Sequence, residues 1–305
     1  MTGTLTSMLD SGRVAHAFLI YGESGLGKTT LAGDFAARIV TLGGETRAVH
    51  PHSHPDIQWV ERSGAKQGYA VDTLRKLCTD AYVRPNNGEK KVYILADCDN
   101  ISVAAQNTLL KIIEEPPVFA HFIFTAGSKS VFLPTVLSRV IALGVSECSL
   151  EDCRQALADN GITDFSRVED ALSAFGGNVG LCLEYLQDGE LRQAVELTRQ
   201  LTDSLCAGSE YGVLKTLSAL DAGRGLAKTV LTMMDKVVRD SIASKSLPES
   251  HIGCYVRGAE KLGSVFSSRK AVRLHELLTE SVQALDGNVN ASMELSALCG
   301  RIYSI

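Results

Sequence analysis

The chain has no apolar run long enough to span a membrane and no secretory leader at its start, so a cytoplasmic protein with no membrane association is expected. It also lacks a C-x-x-C pair. Its eight cysteines (Cys78, Cys98, Cys148, Cys153, Cys182, Cys206, Cys254 and Cys299) are scattered, which argues for reduced thiols over a disulfide framework or a cysteine zinc site. There is no excess of basic charge. With 30 Lys and Arg against 35 Asp and Glu the net charge is −5, so any nucleic-acid contact has to be local or shared with partners. Proline is scarce in the second half, where only Pro248 lies beyond Pro134. What remains is ordinary globular composition, 45% hydrophobic and 21% charged over 305 residues, enough for two or three domains.

The most informative stretch is Gly22-Glu23-Ser24-Gly25-Leu26-Gly27-Lys28-Thr29, followed by Thr30. It fits the phosphate-binding P-loop pattern G-x-x-x-x-G-K-[ST] without a mismatch. The glycines let the backbone turn its N–H groups inward around an anion. Lys28 is then expected on the β- and γ-phosphates of ATP, and the Thr29 hydroxyl on Mg²⁺. Context agrees: Ala17–Tyr21 reads as a buried strand and Thr30–Val40 as a helix whose N-terminus adds its dipole to the site.

Around this motif the first half alternates strands and helices. A helix is expected over about residues 4–14, with His16 as a packing residue where it meets the first strand. After the P-loop helix a polar loop carries His50, His52 and His54, a spacing that can bind metal but usually does not. Ile57–Val60 reads as a strand, Val71–Val83 as a helix and Pro85–Gly88 as a turn. Lys91–Asp99 is an apolar strand ending in acids, where a P-loop fold keeps its Walker B carboxylate. Asp97 and Asp99 are candidates for that role, and capping acids at a strand–helix turn are the alternative. Ser102–Glu115 is a helix stopped by Pro116-Pro117, His121–Thr125 a buried strand, Leu133–Arg139 a short helix, and Val140–Val145 a last strand. The polar end of the His121 strand, Thr125-Ala126-Gly127, is where open α/β sheets cluster ligand-sensing residues. The fold class is therefore α/β over 1–145: a mostly parallel sheet with helices on both faces.

Strand-like runs then disappear. Ser149-x-x-Asp152 and Ser166-x-x-Glu169 read as capping boxes, with Gly161 and Gly176-Gly177 as stops, giving a small helical lid over 146–190. From 191 to 305 apolar residues recur at helical spacing in three stripes: Leu191, Val195, Leu201 and Leu205; Val230, Met234, Val237 and Val238; Leu274, Leu277, Leu278, Val282 and Leu285. Such stripes are core, so an all-helical domain without a second active site is expected.

Several motifs together resemble one family. Asn107-Thr108-Leu109-Leu110-Lys111-Ile112-Ile113-Glu114-Glu115-Pro116-Pro117 is similar to the N-x-L-L-K-x-x-E-E-P-P signature of the AAA+ subunits of the bacterial DNA polymerase III clamp loader, of the delta-prime type. Gly12–Leu19 before the P-loop, His54-Pro55-Asp56, Lys91–Ile94, Thr135-x-Leu137-Ser138-Arg139 and Asn288-Val289-Asn290 match the same family in position. The likeness is dense over about residues 10–145 and sparse beyond. It implies an AAA+ module, a lid and a collar domain, joined with gamma/tau and delta subunits in a five-membered arc that loads a sliding clamp on primed DNA. Arg139 would then be an arginine finger reaching the γ-phosphate of ATP held by a neighbouring subunit.

The departures from the family pattern bear on activity. The family's magnesium aspartate falls on Ala96, its catalytic glutamate on Asp97, and its lid arginine on Gly180. The four-cysteine zinc module is replaced by the short loop with His50, His52 and His54, so no zinc is expected. The expectation is a delta-prime-like subunit that binds ATP with weak or absent hydrolysis. A gamma-like motor, with Asp97 or Asp99 rescuing the metal site, is the alternative. A P-loop kinase or an unrelated AAA+ chaperone is disfavoured by the Asn107–Pro117 signature together with Ser138-Arg139. Arg75 and Lys76 are candidate DNA contacts or simply a solvated helix face.

Overall fold

A computed structural model describes residues 8–9, 14–42, 49–62, 68–220, 223–243, 251–287 and 289–304. Most of the helix expected at 4–14, with Gly12-Arg13, lies outside the described residues, as do Pro248 and Asn288. The chain divides into two compact units, residues 1–147 and 148–305.

In the first unit five parallel strands form one sheet in the order β2-β3-β4-β1-β5: β1 Ala17–Tyr21, β2 Ile57–Trp59, β3 Lys91–Leu95, β4 Ala120–Ala126 and β5 Ile141–Gly144. β3 and β4 are buried along their whole length, as strands covered on both faces must be. One face packs Phe18, Ile20, Val92 and Ile94 against Phe35 and Ile39 of α1, Lys28–Leu42. The other packs Leu19, Tyr93, Leu95 and Phe124 against α2, Val71–Asp80, and α3, Val103–Glu114. Ser102 caps α3 by accepting a hydrogen bond from the Ala105 N–H at 3.2 Å. A fourth helix, α4, is the single turn Pro134–Leu137. The arrangement is the P-loop AAA+ architecture expected from the sequence, with β4 inserted between the strand that feeds the P-loop and the strand that ends at the acids.

Polar ties hold the sheet's lower edge and its loops. Lys91, 2% exposed, reaches Asp80 at 2.7 Å, and Tyr93 and Gln58 donate to the same carboxylate oxygen. Asp56 is fully buried and accepts from the backbone of Asn86 and Asn87, fixing the 85–88 turn. His16 and His121 stack with centroids 5.3 Å apart, each bonded through Nδ1 to a backbone carbonyl, Ala120 and Ala15 respectively. His16 therefore packs, as expected.

The second unit contains, among its described residues, helices α5 Leu150–Asp159, α6 Phe165–Phe175, α7 Val179–Leu186, α8 Glu190–Cys206, α9 Glu210–Ala219, α10 Arg224–Ala243, α11 Val256–Val265, α12 Ser268–Asp286 and α13 Ala291–Tyr303. Ser149 caps α5 as its pattern suggests, with Oγ accepting from the Asp152 N–H and donating to the Asp152 carboxylate. Ser166 does not cap α6. The helix starts two residues earlier, at Phe165, and Asp164 accepts from the Arg167 N–H, because a carboxylate in extended backbone just ahead of the first turn meets the orphan donors first. Two hydrophobic cores share this unit, one over α5–α7 and one over α8–α13. Leu191 and Val195 of α8 join the first, while Ala194, Leu201 and Leu205 join the second, so α8 runs through the position expected to separate lid from collar. The three apolar stripes are buried except Val282, which is partly covered.

Candidate nucleotide site

The P-loop leaves β1 at Tyr21 and enters α1 at Lys28. The Gly22 N–H bonds to Ala126 O at the end of β4, and Val145 N–H to Tyr21 O, so the loop springs from a fixed corner of the sheet. A Cβ on Gly22 would sit 2.6 Å from Val145 O, which leaves room for no side chain there. Gly25 and Gly27 adopt φ of +82° and +73°, the left-handed turns that aim successive N–H groups to one side. Lys28 is almost covered and folds back to donate to Glu23 O at 2.7 Å, spanning the loop mouth where a phosphate chain would lie. Thr29 is half-buried, while Glu23, Ser24 and Thr30 are exposed on the loop and first helical turn. Beside the loop a cleft of about 390 Å³ is lined by Tyr21, Gly22, Leu26, Gly127, Ser128 and Val145. This loop and helix start have the features an anionic nucleotide tail requires.

The two acids stand elsewhere than a simple Walker B strand would put them. β3 ends at Leu95, and the chain then passes through Ala96 into a left-handed turn at Asp97 (φ +53°) and a short 3-10 turn, Cys98–Asn100. Asp97 pairs with Arg62 at 3.2 Å, and its own N–H is held by Thr125 Oγ at 2.8 Å. Thr125 is fully buried, and its hydroxyl ties the end of β4 to the turn that follows β3. Asp99 accepts the Gly127 N–H at 2.7 Å, and a Cβ on residue 127 would stand 2.9 Å from that carboxylate oxygen. Neither carboxylate caps a helix by its side chain.

Arg139 follows α4 directly. Its Nε donates to Glu114 at 2.7 Å, its Nη2 pairs with the same carboxylate, and Nη1 donates to Thr135 O and Ser138 Oγ. Gln106, buried in α3, holds this corner by accepting from Leu133 N–H at 2.7 Å and donating to Val131 O at 3.1 Å. In the histidine loop His52 stacks on Trp59 and His54 Nδ1 accepts from Asp56 N–H, while His50 is exposed. No group of three or more His, Cys, Asp or Glu positioned for a metal occurs among the described residues. Arg75 pairs with Asp72 one turn away on an exposed face. Gly180 lies in the first turn of α7, after an Asn178 cap. Reasoning from sequence missed Arg62, whose distance of 35 positions from Asp97 carries no periodic signal, and Gln106. It also gave Glu114 no role, although Glu114 lies inside the most specific motif.

Residues 1–148 match the protein family described as DNA polymerase III, delta subunit. A DNA polymerase III subunit gamma/tau of Mycobacterium tuberculosis is 34% identical over 149 residues, covering 46% of this chain and 26% of that protein. A DNA polymerase III subunit delta' of Haemophilus influenzae is 30% identical over 206 residues, covering 64% of this chain and 62% of that one. The chain thus spans about a quarter of the mycobacterial relative and under two thirds of the delta' relative. Among solved structures, a DNA polymerase III gamma subunit-related protein from Thermotoga maritima aligns over 98% of both chains at 15% identity and a TM-score of 0.46, too distant to bear on function. Fold and loop define a P-loop AAA+ protein. Within that class, the first half of the chain is similar to DNA polymerase III subunits of the delta' and gamma/tau types.

Proposed function

We propose that the chain is a delta-prime-like clamp-loader subunit that binds ATP at Gly22–Thr30 and turns it over weakly or not at all. In a cytoplasmic hetero-oligomer with gamma/tau- and delta-type subunits, it supplies Arg139 in trans for loading a sliding clamp on primed DNA. Lid (146–190) and collar (191–305) would carry its assembly contacts. The observation behind this reading is the disposition of the acids: Asp97 is matched with Arg62 and Asp99 with the Gly127 N–H, while the P-loop keeps its glycines, Lys28 and Thr29. A carboxylate already balanced by a guanidinium is a poor ligand for Mg²⁺ and a poor base for water. Loop N–H groups, Lys28 and the Thr29 hydroxyl would hold a Mg²⁺-bound triphosphate, with Lys28 exchanging Glu23 O for phosphate oxygen. The chemistry Mg²⁺ would supply there is neutralisation of the phosphate charge.

A gamma-like motor is the second reading, favoured by the 34% identity to gamma/tau subunits over the P-loop domain. Equilibrium ATP binding and steady-state turnover of the purified chain separate the two. Binding that Lys28→Ala removes, without turnover, is the expected result. Steady turnover lost in Lys28→Ala and in either Asp97→Asn or Asp99→Asn would establish the motor.

A further inference from the structure

The Arg139 guanidinium is held by its own domain on three sides. Glu114 takes Nε and Nη2, while Thr135 O and Ser138 Oγ take Nη1. The backbone sets both ends of the pair. Glu114 is the last residue of α3, where Pro116-Pro117 forbids another turn, and Arg139 emerges from α4, whose cap residue Leu133 is anchored on Gln106. Carboxylate and guanidinium therefore face each other across a corner that is already braced.

The Nε–Nη2 edge is one of the forks with which an arginine grips two oxygens of a phosphate. Here a carboxylate occupies it, and its negative charge would also repel a triphosphate. Nη1 is saturated as well, leaving a single N–H on Nη2. The pair is shallow, with side chains 35% and 45% exposed, so it is weak enough to be exchanged.

We infer that Glu114 is a latch on the finger: it stores Arg139 against its own domain, and contact with a neighbour's γ-phosphate requires carboxylate to be exchanged for phosphate on the Nε–Nη2 edge. This rests on the trans-finger reading proposed above. Glu114 is a positioning residue whose removal favours the exchanged state, since Thr135 O and Ser138 Oγ still orient the guanidinium.

The test is ATP turnover by the full chain assembled with the gamma/tau- and delta-type subunits of the same genome. Arg139→Ala is expected to lower turnover at least tenfold. Glu114→Gln is expected to raise kcat/KM by about two- to fivefold, the range of an exposed ion pair, with Glu114→Asp close to wild type. That gain is expected to shrink at about 0.5 M salt, where the wild-type pair is screened. Glu114→Gln turnover at or below wild type, with Arg139→Ala impaired, overturns the latch and leaves the finger intact. Unchanged turnover in Arg139→Ala sinks both. In the chain alone, the Arg139 Nε–H resonance, identified by its loss in Arg139→Lys, is expected to move upfield in Glu114→Gln; an unmoved resonance overturns the latch without any assembly.

Discussion

Removing Asp80 should unfold the first unit far more readily than removing its buried partner Lys91. Lys91 is 2% exposed and Tyr93 is fully buried, yet both give their polar hydrogens to one oxygen of a carboxylate that is 38% exposed. Asp80→Ala leaves an ammonium and a phenol hydroxyl in the interior without their acceptor. Breaking a buried pair from one side costs about 3–5 kcal/mol, and water reaching the site from the open side of Asp80 puts this case near 3 kcal/mol. Lys91→Met removes the buried charge itself and leaves Asp80 with Tyr93, Gln58 and solvent, so it is expected to cost under about 1 kcal/mol.

The chain's single tryptophan, Trp59, lies on β2 beside Gln58, so its emission follows unfolding of this unit without a contribution from the second. With a urea slope of about 2 kcal/mol/M, the midpoint should fall by about 1.5 M in Asp80→Ala and by under about 0.5 M in Lys91→Met. Burial alone would raise the Asp80 pKa, but the Lys91 and Tyr93 hydrogen bonds and the Lys91 charge outweigh it and hold it below its ordinary 3.8. A lowered carboxylate pKa gives stability that is complete above the unfolded value and lost as pH falls through the folded one. The gap between wild type and Asp80→Ala should therefore be full at pH 6 and narrow below pH 3.8. Equal midpoint losses in Asp80→Ala and Lys91→Met, or a gap indifferent to acid, would refute this account.

Three further outcomes are expected. Burial pushes the His121 imidazole from 6.5 down to about 4, so the folded state resists a proton that the unfolded chain accepts. The first unit should lose up to about 3 kcal/mol as pH falls from 6.5 to 4, read on Trp59, and His121→Phe should flatten that slope. Gly22→Ala should abolish binding of a fluorescent ATP analogue, because its Cβ meets Val145 O at 2.6 Å; Gly27→Ala, open to space but left-handed, should weaken binding less and cost about 1 kcal/mol of stability. Arg62→Ala should let added Mg²⁺ stabilise the nucleotide-bound chain more than it does wild type, seen as a larger rise in Tm, since Asp97 loses its internal cation; an identical rise would show that Arg62 does not compete with the metal.

What the sequence made legible follows from how local each determinant is. The P-loop, its strand and its helix could be read because glycine spacing and apolar runs act over a few residues, and β1 and β4 fall within one residue of expectation. The strand expected to reach Asp99 stops at Leu95. No propensity forbids extension through Ala96-Asp97-Cys98; what ends it is the Thr125 hydroxyl accepting the Asp97 N–H and the Gly127 N–H donating to the Asp99 carboxylate, partners contributed from 28 positions away. The same distance effect hid Arg62. Cap choice at α6 failed on a finer scale, since Asp164 and Ser166 are both competent and only the backbone's extended turn at Asp164 decides. Glu114 is the instructive case. A motif locates it, but its orientation toward Arg139 depends on α3 ending at the prolines and α4 being braced by Gln106, two facts that exist only once β4 has placed both helices at one corner of the sheet. Residue types and spacing thus located the phosphate loop and Arg139, whereas the partners of the two acids and of Arg139 are properties of tertiary pairing. On the proposed reading, the pairings of the acids would separate an ATP-holding subunit from an ATP-consuming one built on the same loop, so that distinction would turn on Arg62 and Gly127 more than on the P-loop itself.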